Sequence, residues 1–559
     1  MGSVDENVRE LKSYARGIFS QQPNRLYVRC LVLTETHARL VHFDRAGTQV
    51  TPLVDLYQHP ATFVRLIVGL ANVEERLLGL DDSIQFTLID GRRTGGTLTT
   101  TGPTGDAKTY PILEHIPIPR ETIRGRGTVC WRVQDPDTGE ELVVKDSWRP
   151  DDRPPEQEYL ELAKDIPSVV QMVSYETGRG DTKGFRCPTT AGQFQNRSAV
   201  RVTMKSYGRP IEFFTSLSQL LCAIRDAIAG HQRLSGSNVR ILHRDISHNN
   251  ILLGPQGASD GNRGVLIDLD MSFRSTDAKP QVDADCNVGT RMFQSLSVVG
   301  SHAPQGLAPP HDYLDDLESF FLVLTYIFIT RKPDGSLFAC ETDLGPSMVN
   351  QWDDPDPSAA YRPKSGLFSG SAAGIRAARL IEETWGLICS GLFKKYRAWA
   401  SGIRRTKAIL LKDAQDDLFC FGGEEGDDEG MGVVDPLETL HSQRDEHYAQ
   451  VLGIFDEAIV AIQTSTHVVE DVNTTPPDGN APSPAQIPLP TPSDHTQPRR
   501  SAQGAPPPQV AAHQVTKPKL SDPPPSAPEP RRSTRILKRR LQEEDQHGEP
   551  PLKSRKIKN

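Results

Sequence analysis

The sequence predicts an α+β fold in two lobes, preceded by a small mixed α/β unit and followed by a disordered tail. Three observations carry this. Strand-like pairs are concentrated before about residue 210 and long helical patterns after it, the segregation expected of an α+β chain. At 559 residues the chain is too long for one core. Beyond about residue 470 it turns to Pro, Ser, Gln and Asp with almost no aromatics, so it buries too little surface to fold. The expected divisions are 1–118 for the first unit, 119–465 for the two lobes (119–210 and 211–465), and 466–559 for the tail.

In the first unit, RLYVRCLVLTETHARLVHFDRAGTQVT alternates β-branched and polar residues around Asp44–Gly47 and reads as antiparallel strands joined by a tight turn. HPATFVRLIVGLANV reads as a helix, and GRRTGGTLTTTGPTGDAK as a Gly/Thr-rich connection. In the second, GTVCWRVQDPDTGEELVVKD reads as strand, turn at Pro136–Gly139, strand. PEQEYLELAKDI is helical, AVRVTMKSYGRPI a strand, and SLSQLLCAIRDAIAGHQRL a long amphipathic helix. Tyr448, Leu452, Phe455, Ile459 and Ile462 recur at helical spacing and close the folded part. The acidic GGEEGDDEG reads as a solvated loop.

Composition excludes several classes. The run FFLVLTYIFIT is about half of what spans a bilayer, so a buried core helix and a soluble protein are expected. The acidic N-terminus is no secretory signal, and Glu6 breaks the myristoylation pattern after Gly2. Eight scattered cysteines with no CxxC pair fit reduced thiols rather than zinc or disulfides. A net charge of −9 argues against nucleic acid as the main partner.

The chemistry is concentrated in ILHRDISHNNILL, Ile241–Leu253. Moving a phosphoryl group requires a carboxylate at the acceptor, ligands for magnesium, and positive charge on the nucleotide phosphates. His-Arg-Asp followed by Asn at the fifth position after Asp has the spacing of a kinase catalytic loop, with Asp245 as base and Asn250 as metal ligand. Other pieces follow in the required order. Lys145 ends a strand, Glu156 or Glu158 in the next helix can pair with it, and Asp268 follows the hydrophobic VLI as a second metal-binding carboxylate. GTRMFQSLS resembles a substrate-receiving segment, and Asp316 in DDLES the residue that braces the loop.

With these residues in place the chain resembles the eukaryotic protein-kinase superfamily and, within it, the fungal-type protein kinases. The words that carry the resemblance are VVKDSW (143–148), HRDIS (243–247), LIDLD (266–270), Gly289-Thr290 with Phe293, DDLES (315–319), and an FDR.G element at Phe43, Asp44, Arg45 and Gly47. The resemblance covers nearly everything except the tail. It implies a bilobal protein-kinase-like fold, ATP and Mg2+ as cofactors, and transfer to a protein hydroxyl, Ser or Thr. It implies Lys145 and Glu156 on the nucleotide, with Gly125 and Gly127 in a reduced glycine-rich loop. Asn250 and Asp268 would hold the metal. Asp245 would act as base, with Thr290 hydrogen-bonded to it. Glu156 rather than Glu158 fits the family spacing to Leu160.

Three positions depart from the general kinase pattern: Cys130 where a third loop glycine would fall, Leu269-Asp270 in place of Phe-Gly, and Ser247 in place of a lysine that steadies the transferring phosphate. Serine supplies no charge, so slower transfer is expected. Two other readings stand beside the kinase: a pseudokinase scaffold, and a small-molecule phosphotransferase, a class that usually lacks the Gly-Thr substrate segment. The partners expected are a protein substrate, no direct nucleic acid and no membrane. RRSTRILKRR and KSRKIKN in the tail point to the nuclear import machinery and to a nuclear or cytoplasmic protein. Deleting residues 531–559 is expected to shift a fluorescently tagged protein out of the nucleus without changing catalysis in vitro. An unchanged distribution would leave those charges a solubilising role only.

Overall fold

Leu11, Ala15, Ile18 and Phe19 line one face of helix α1 (Val4–Gln21), and that stripe packs on a small antiparallel sheet. Its strands are β1 (Val28–Leu33), β2 (His37–Asp44), β3 (Gly47–Val50) and β4 (Val54–Asp55), with β2 pairing to the other three. The expected turn is closed by Asp44, whose carboxylate accepts the Ala46 amide at 2.8 Å, while Gly47 adopts φ +124°. Helix α2 (Pro60–Leu70) follows, with no buried residue. This computed structural model describes residues 4–102, 104–118, 122–187, 194–302, 309–338, 348–368, 372–421 and 435–473, all in the unit Met1–Pro477. The acidic run at 424–429 and the basic clusters lie outside the described residues.

The Gly/Thr-rich stretch is not a connection. It forms β6 (Arg92–Thr101) and the start of β7 (Ala107–Ile116), and β6 also pairs with β5 (Ile84–Ile89). Threonine suits a pleated strand, and Leu98 and Thr100 alternate inward on β6. Glycine is needed at position 96, where a Cβ would lie 2.5 Å from the Gln85 carbonyl oxygen. Composition suggested a loop, and pairing on both sides made a strand.

These strands continue into β8 (Val129–Gln134), β9 (Glu141–Pro150), β10 (Met172–Glu176) and β11 (Arg197–Lys205). The result is one seven-stranded antiparallel sheet in the order β10-β11-β9-β8-β7-β6-β5. The division expected at 118 thus falls between two strands paired with each other, β7 and β8. On β9 the two-residue period turns Leu142 and Val144 into an apolar cluster with Trp131, Ile84, Leu98 and Tyr110, and turns Val143 and Lys145 to the opposite face. Strands from the first hundred residues therefore back the strand that carries Lys145.

Helices α3 (Glu156–Leu162) and α4 (Thr182–Phe185) lie between strands of this sheet in sequence. The rest of the described chain is mainly helical around α5 (Leu217–Leu234). Short strands β12 (Ile241–Leu242), β13 (Ile251–Leu253), β14 (Gly264–Leu266) and β15 (Phe273–Arg274) come next, in the pairs β12–β15 and β13–β14. Helices α6 (Leu296–Gly300), α7 (Tyr313–Thr330), α8 (Pro357–Phe368), α9 (Ala372–Phe421), α10 (Glu438–His441) and α11 (Arg444–Asn473) complete it. The run FFLVLTYIFIT lies within α7 and is buried along almost its whole length, against α5 and α9. No described helix is long and apolar enough to cross a membrane. Helix α11 continues to Asn473, beyond the expected start of the tail at 466.

One buried charge cluster ties α4 to the first small sheet. Asp44 accepts two bonds from Arg186, at 2.7 and 2.6 Å, and one from His42 Nε2 at 3.0 Å. Burial opposes its ionisation, but Arg186 and His42 outweigh that and hold the carboxyl below its ordinary value. Asp44→Ala would leave a buried guanidinium without its partner and is expected to cost about 3–5 kcal/mol, read as a lowered urea midpoint. Because the folded-state pKa is depressed, the wild-type contribution is present above the unfolded carboxyl pKa of about 4 and fades as pH falls further. The gap between variant and wild type is therefore expected to close in acid.

Candidate active site

The loop from β12 to β13 carries His243, Arg244, Asp245, Ser247 and Asn250, and its shape is set from below by Asp316. That carboxylate, near the start of α7, accepts the backbone amides of His243 at 2.9 Å and Arg244 at 3.1 Å. It also accepts His231 Nε2 at 2.9 Å and His311 Nε2 at 3.2 Å. Burial resists ionisation, yet the two histidines hold the Asp316 carboxyl well below the usual carboxylate range. With two amides pinned, Arg244 is kept at φ +65°, a left-handed conformation that a non-glycine residue adopts at a cost. Asp312 supplies a capping box that starts α7 just ahead of Asp316.

His243 links this loop to the segment after β14. Its Nε2 donates to the Ile267 carbonyl at 3.0 Å, which leaves Nδ1 to accept the Asp245 amide at 3.3 Å, and burial keeps the ring's pKa low. Asn250 donates Nδ2 to the Asp245 carbonyl at 2.8 Å, so its Oδ1 is the end available to a cation. Asp245 Oδ1 accepts both the amide (2.8 Å) and the hydroxyl (2.7 Å) of Thr290. That approach needs glycine before Thr290: Gly289 has φ +86°, and a Cβ there would lie 2.5 Å from the Arg244 carbonyl oxygen. Burial, then the neighbouring Asp268, push the Asp245 carboxyl up, against the Thr290 bond.

Across from this loop, Lys145 is buried, with its ammonium 2.7 Å from Glu156 Oε2, 2.7 Å from Asp268 Oδ1 and 3.3 Å from Asp270 Oδ2. Glu156, not Glu158, is the helix partner; Glu158 is exposed on the opposite side of α3. Glu156 also accepts the Leu269 amide at 3.1 Å. Burial, with Asp270 and Asp268 close by, lifts Glu156 to about 7 despite Lys145. The same carboxylates overcome burial at Lys145 and hold its pKa well above the ordinary lysine value. For Asp268, burial is outweighed by Lys145 and Arg126, which keep it well below the carboxylate range. Asp268 itself sits at φ +66°.

Two participants were not foreseen from sequence. Asp270, read there only as a lost glycine, joins the carboxylate cluster. Arg126, between Gly125 and Gly127, reaches Asp270 at 3.0 Å and Asp268 at 3.7 Å. The signal was a pair of complementary departures: an acid where a glycine is usual, and an arginine in the loop above it. Both glycines have positive φ, +137° and +53°. Cys130 lies in β8 opposite Lys145, so that position needs no glycine. Ser247 is buried.

The glycine-rich segment is gripped by the FDR.G element. Ile123 packs with Phe19, Val28, Val41 and Phe43. The Gly125 amide donates to the Arg45 carbonyl at 3.0 Å, and Arg45 Nη1 donates to the Ile123 carbonyl at 3.2 Å. Arg45 lies over the Phe19 ring at 4.1 Å. At Gly127 a Cβ would fall 2.4 Å from Arg45 Nε, so glycine is required there.

Oxygen ligands from Glu156, Asp268 and Asp270 lie within 4.8 Å of one another. The carboxyls of these three residues and Asp245 outnumber the two cations, Lys145 and Arg126, and a divalent cation would relieve the crowding of negative charge. Carboxylates with an amide oxygen are the hard donors magnesium takes, so Asp268, Asp270 and Asn250 fit it. Millimolar Mg2+ is expected to raise the unfolding midpoint of the wild type and to leave that of Asp268→Asn unmoved. An equal rise in both would place the ion elsewhere.

A family model described as "Fungal protein kinase" matches residues 2–186 and 177–328, which together exceed half of the 559 residues and contain every residue of the site. No curated protein matches the chain.

Proposed function

The chain belongs to the fungal protein kinase family, and from that premise we propose that it transfers the γ-phosphoryl group of ATP to a protein hydroxyl, Ser or Thr. In this reading residues 119–465 make a bilobal kinase domain whose sheet is extended by β5, β6 and β7 from the preceding residues, with Lys145 in the smaller lobe and the helices around α5 and α7 in the larger. The observation that carries the proposal is the Lys145–Glu156 pair at 2.7 Å, sharing its lysine with Asp268 and facing an Asp245 held by Thr290. Four distant stretches of chain converge there in the arrangement phosphoryl transfer needs.

Magnesium, when bound with the nucleotide, would neutralise phosphate charge. The protein's own groups have separable roles. Lys145, fixed by Glu156, offers its ammonium to the phosphates. Asp268, Asp270 and Asn250 present oxygens to the ion. Asp245 takes the hydroxyl proton; its raised pKa makes it a better acceptor than a free carboxylate. The Thr290 bonds occupy Asp245 Oδ1 and leave Oδ2 for the substrate. Arg126 supplies the cation that Ser247 does not.

One observation favours the pseudokinase reading. Lys145 and Arg126 already bond the carboxylates at 268 and 270, an internal neutralisation that a scaffold would keep. Transfer of labelled phosphate from ATP to a generic protein substrate separates the two. The kinase reading expects transfer by wild type and a loss of about 10²–10⁴-fold in Asp245→Asn with no fall in unfolding midpoint. Lys145→Met should be similarly inactive. Arg126→Gln should lose about tenfold, or ~1.4 kcal/mol, and Ser247→Ala less. Wild-type protein without transfer would favour the scaffold.

A further inference from the structure

Beside the carboxylate cluster lies a second, basic site. A cavity of about 310 Å³ is walled by Arg126, Arg149, Arg153 and Arg197, with Asp152 and Asp270 also on its lining. Arg197 opens β11 and is only 9% exposed, yet its Nε has no hydrogen-bond partner among the described residues; its Nη1 reaches the Trp148 carbonyl at 3.3 Å. Arg149 gives Nη1 to the backbone carbonyls of Pro150, Asp151 and Arg153, and its Nε is likewise without a partner. Arg153 donates to the Met271 thioether at 3.0 Å, a weak acceptor.

The two acids are already committed. Asp152 accepts the Gln195 amide at 3.2 and 3.1 Å, and Asp270 is held by Arg126 and Lys145. Among the described residues, Arg126 alone of the four arginines has a carboxylate within salt-bridge distance. Burial, then the like charges of Arg124 and Arg153, hold the Arg197 guanidinium below its ordinary value. Gathering four guanidinium groups on one cavity lining, three of them without a carboxylate in salt-bridge range among the described residues, costs electrostatic free energy that an anion would offset.

We propose that this cavity binds a phosphate group, as a phosphorylated side chain or the free ion, at a site that adjoins the carboxylate cluster and shares Arg126 and Asp270 with it. Guanidinium donors converging from several sides match a dianion with three acceptor oxygens better than they match a flat carboxylate. The cavity also exceeds what a bare phosphate fills and leaves room for the chain that carries it. Arg126 belongs both to this wall and to the carboxylate cluster, so occupancy bears directly on Asp268 and Asp270.

The test uses the full chain in isothermal titration, without ATP, with three probes: inorganic phosphate, a phosphoserine peptide, and the same peptide unphosphorylated. Binding of phosphate and phosphopeptide is expected to weaken at least tenfold in Arg197→Gln and in Arg153→Gln, whose side chain is exposed and whose loss leaves the fold intact. It is expected to persist in Asp245→Asn, whose side chain does not line the cavity and whose loss makes the result independent of whether the protein transfers phosphate. Tighter binding of the phosphopeptide than of phosphate assigns a polypeptide side chain; equal affinity assigns the free ion. Equal phosphate affinity in wild type and both arginine variants, or loss of binding in Asp245→Asn alone, would overturn the proposal.

Discussion

A single buried ammonium constrains the centre of the molecule. Lys145 is 4% exposed and shared by Glu156, Asp268 and Asp270. Buried charge is tolerable only when paired and hydrogen-bonded. Strand β9, helix α3 and the segment after β14 must therefore meet at one point. The excess of carboxylates draws in a fourth element, the Arg126 loop. Taking away one carboxylate would not release the lysine, because two others remain, whereas taking away the lysine would leave three carboxylates in mutual repulsion with only Arg126 to balance them. The arrangement thus has one indispensable member and several replaceable ones.

Asp316 plays the corresponding part under the loop from β12 to β13. It holds two consecutive amides and two histidines, and one of those, His231, is itself bonded through Nδ1 to Tyr448 on α11 at 2.6 Å. The strained φ of Arg244 thereby rests on contacts that reach across three helices, α5, α7 and α11. His243 carries the same rigidity to Ile267, one residue before Asp268. Position is conveyed from helix to loop to the neighbourhood of the Asp268 carboxylate through hydrogen bonds between 2.9 and 3.3 Å.

How much of this was legible in the sequence follows from the range of each interaction. The spacing from Asp245 to Asn250 was readable because both sit on one short loop whose geometry depends on count. The hairpin at Asp44–Gly47 and helices α5 and α11 were readable from local period and turn chemistry. The choice between Glu156 and Glu158 was not settled by local pattern: two residues apart on a helix they point to different sides, and only the position of Lys145 decides. The Gly/Thr-rich stretch misled because its strand character lies in partners on β5 and β7 rather than in apolar alternation. Asp270 looked like a defect when read singly, and Arg126 drew no notice. Their meaning is a contact between residues 144 positions apart.

That contact also gives the first unit a physical reason to exist. A short glycine-rich segment is entropically costly to hold in one conformation, and here it must place a cation accurately over two carboxylates. Ile123 anchors it in the core of α1, β1 and β2, and Arg45 closes on it from both sides of Gly125. A glycine at position 270 would leave Arg126 only the longer contact to Asp268, at 3.7 Å, and a free loop would not bring Arg126 to Asp270. The substitution of acid for glycine, the arginine between two glycines, and the FDR.G turn that grips them therefore form one device. Each is costly alone and favourable only with the other two in place.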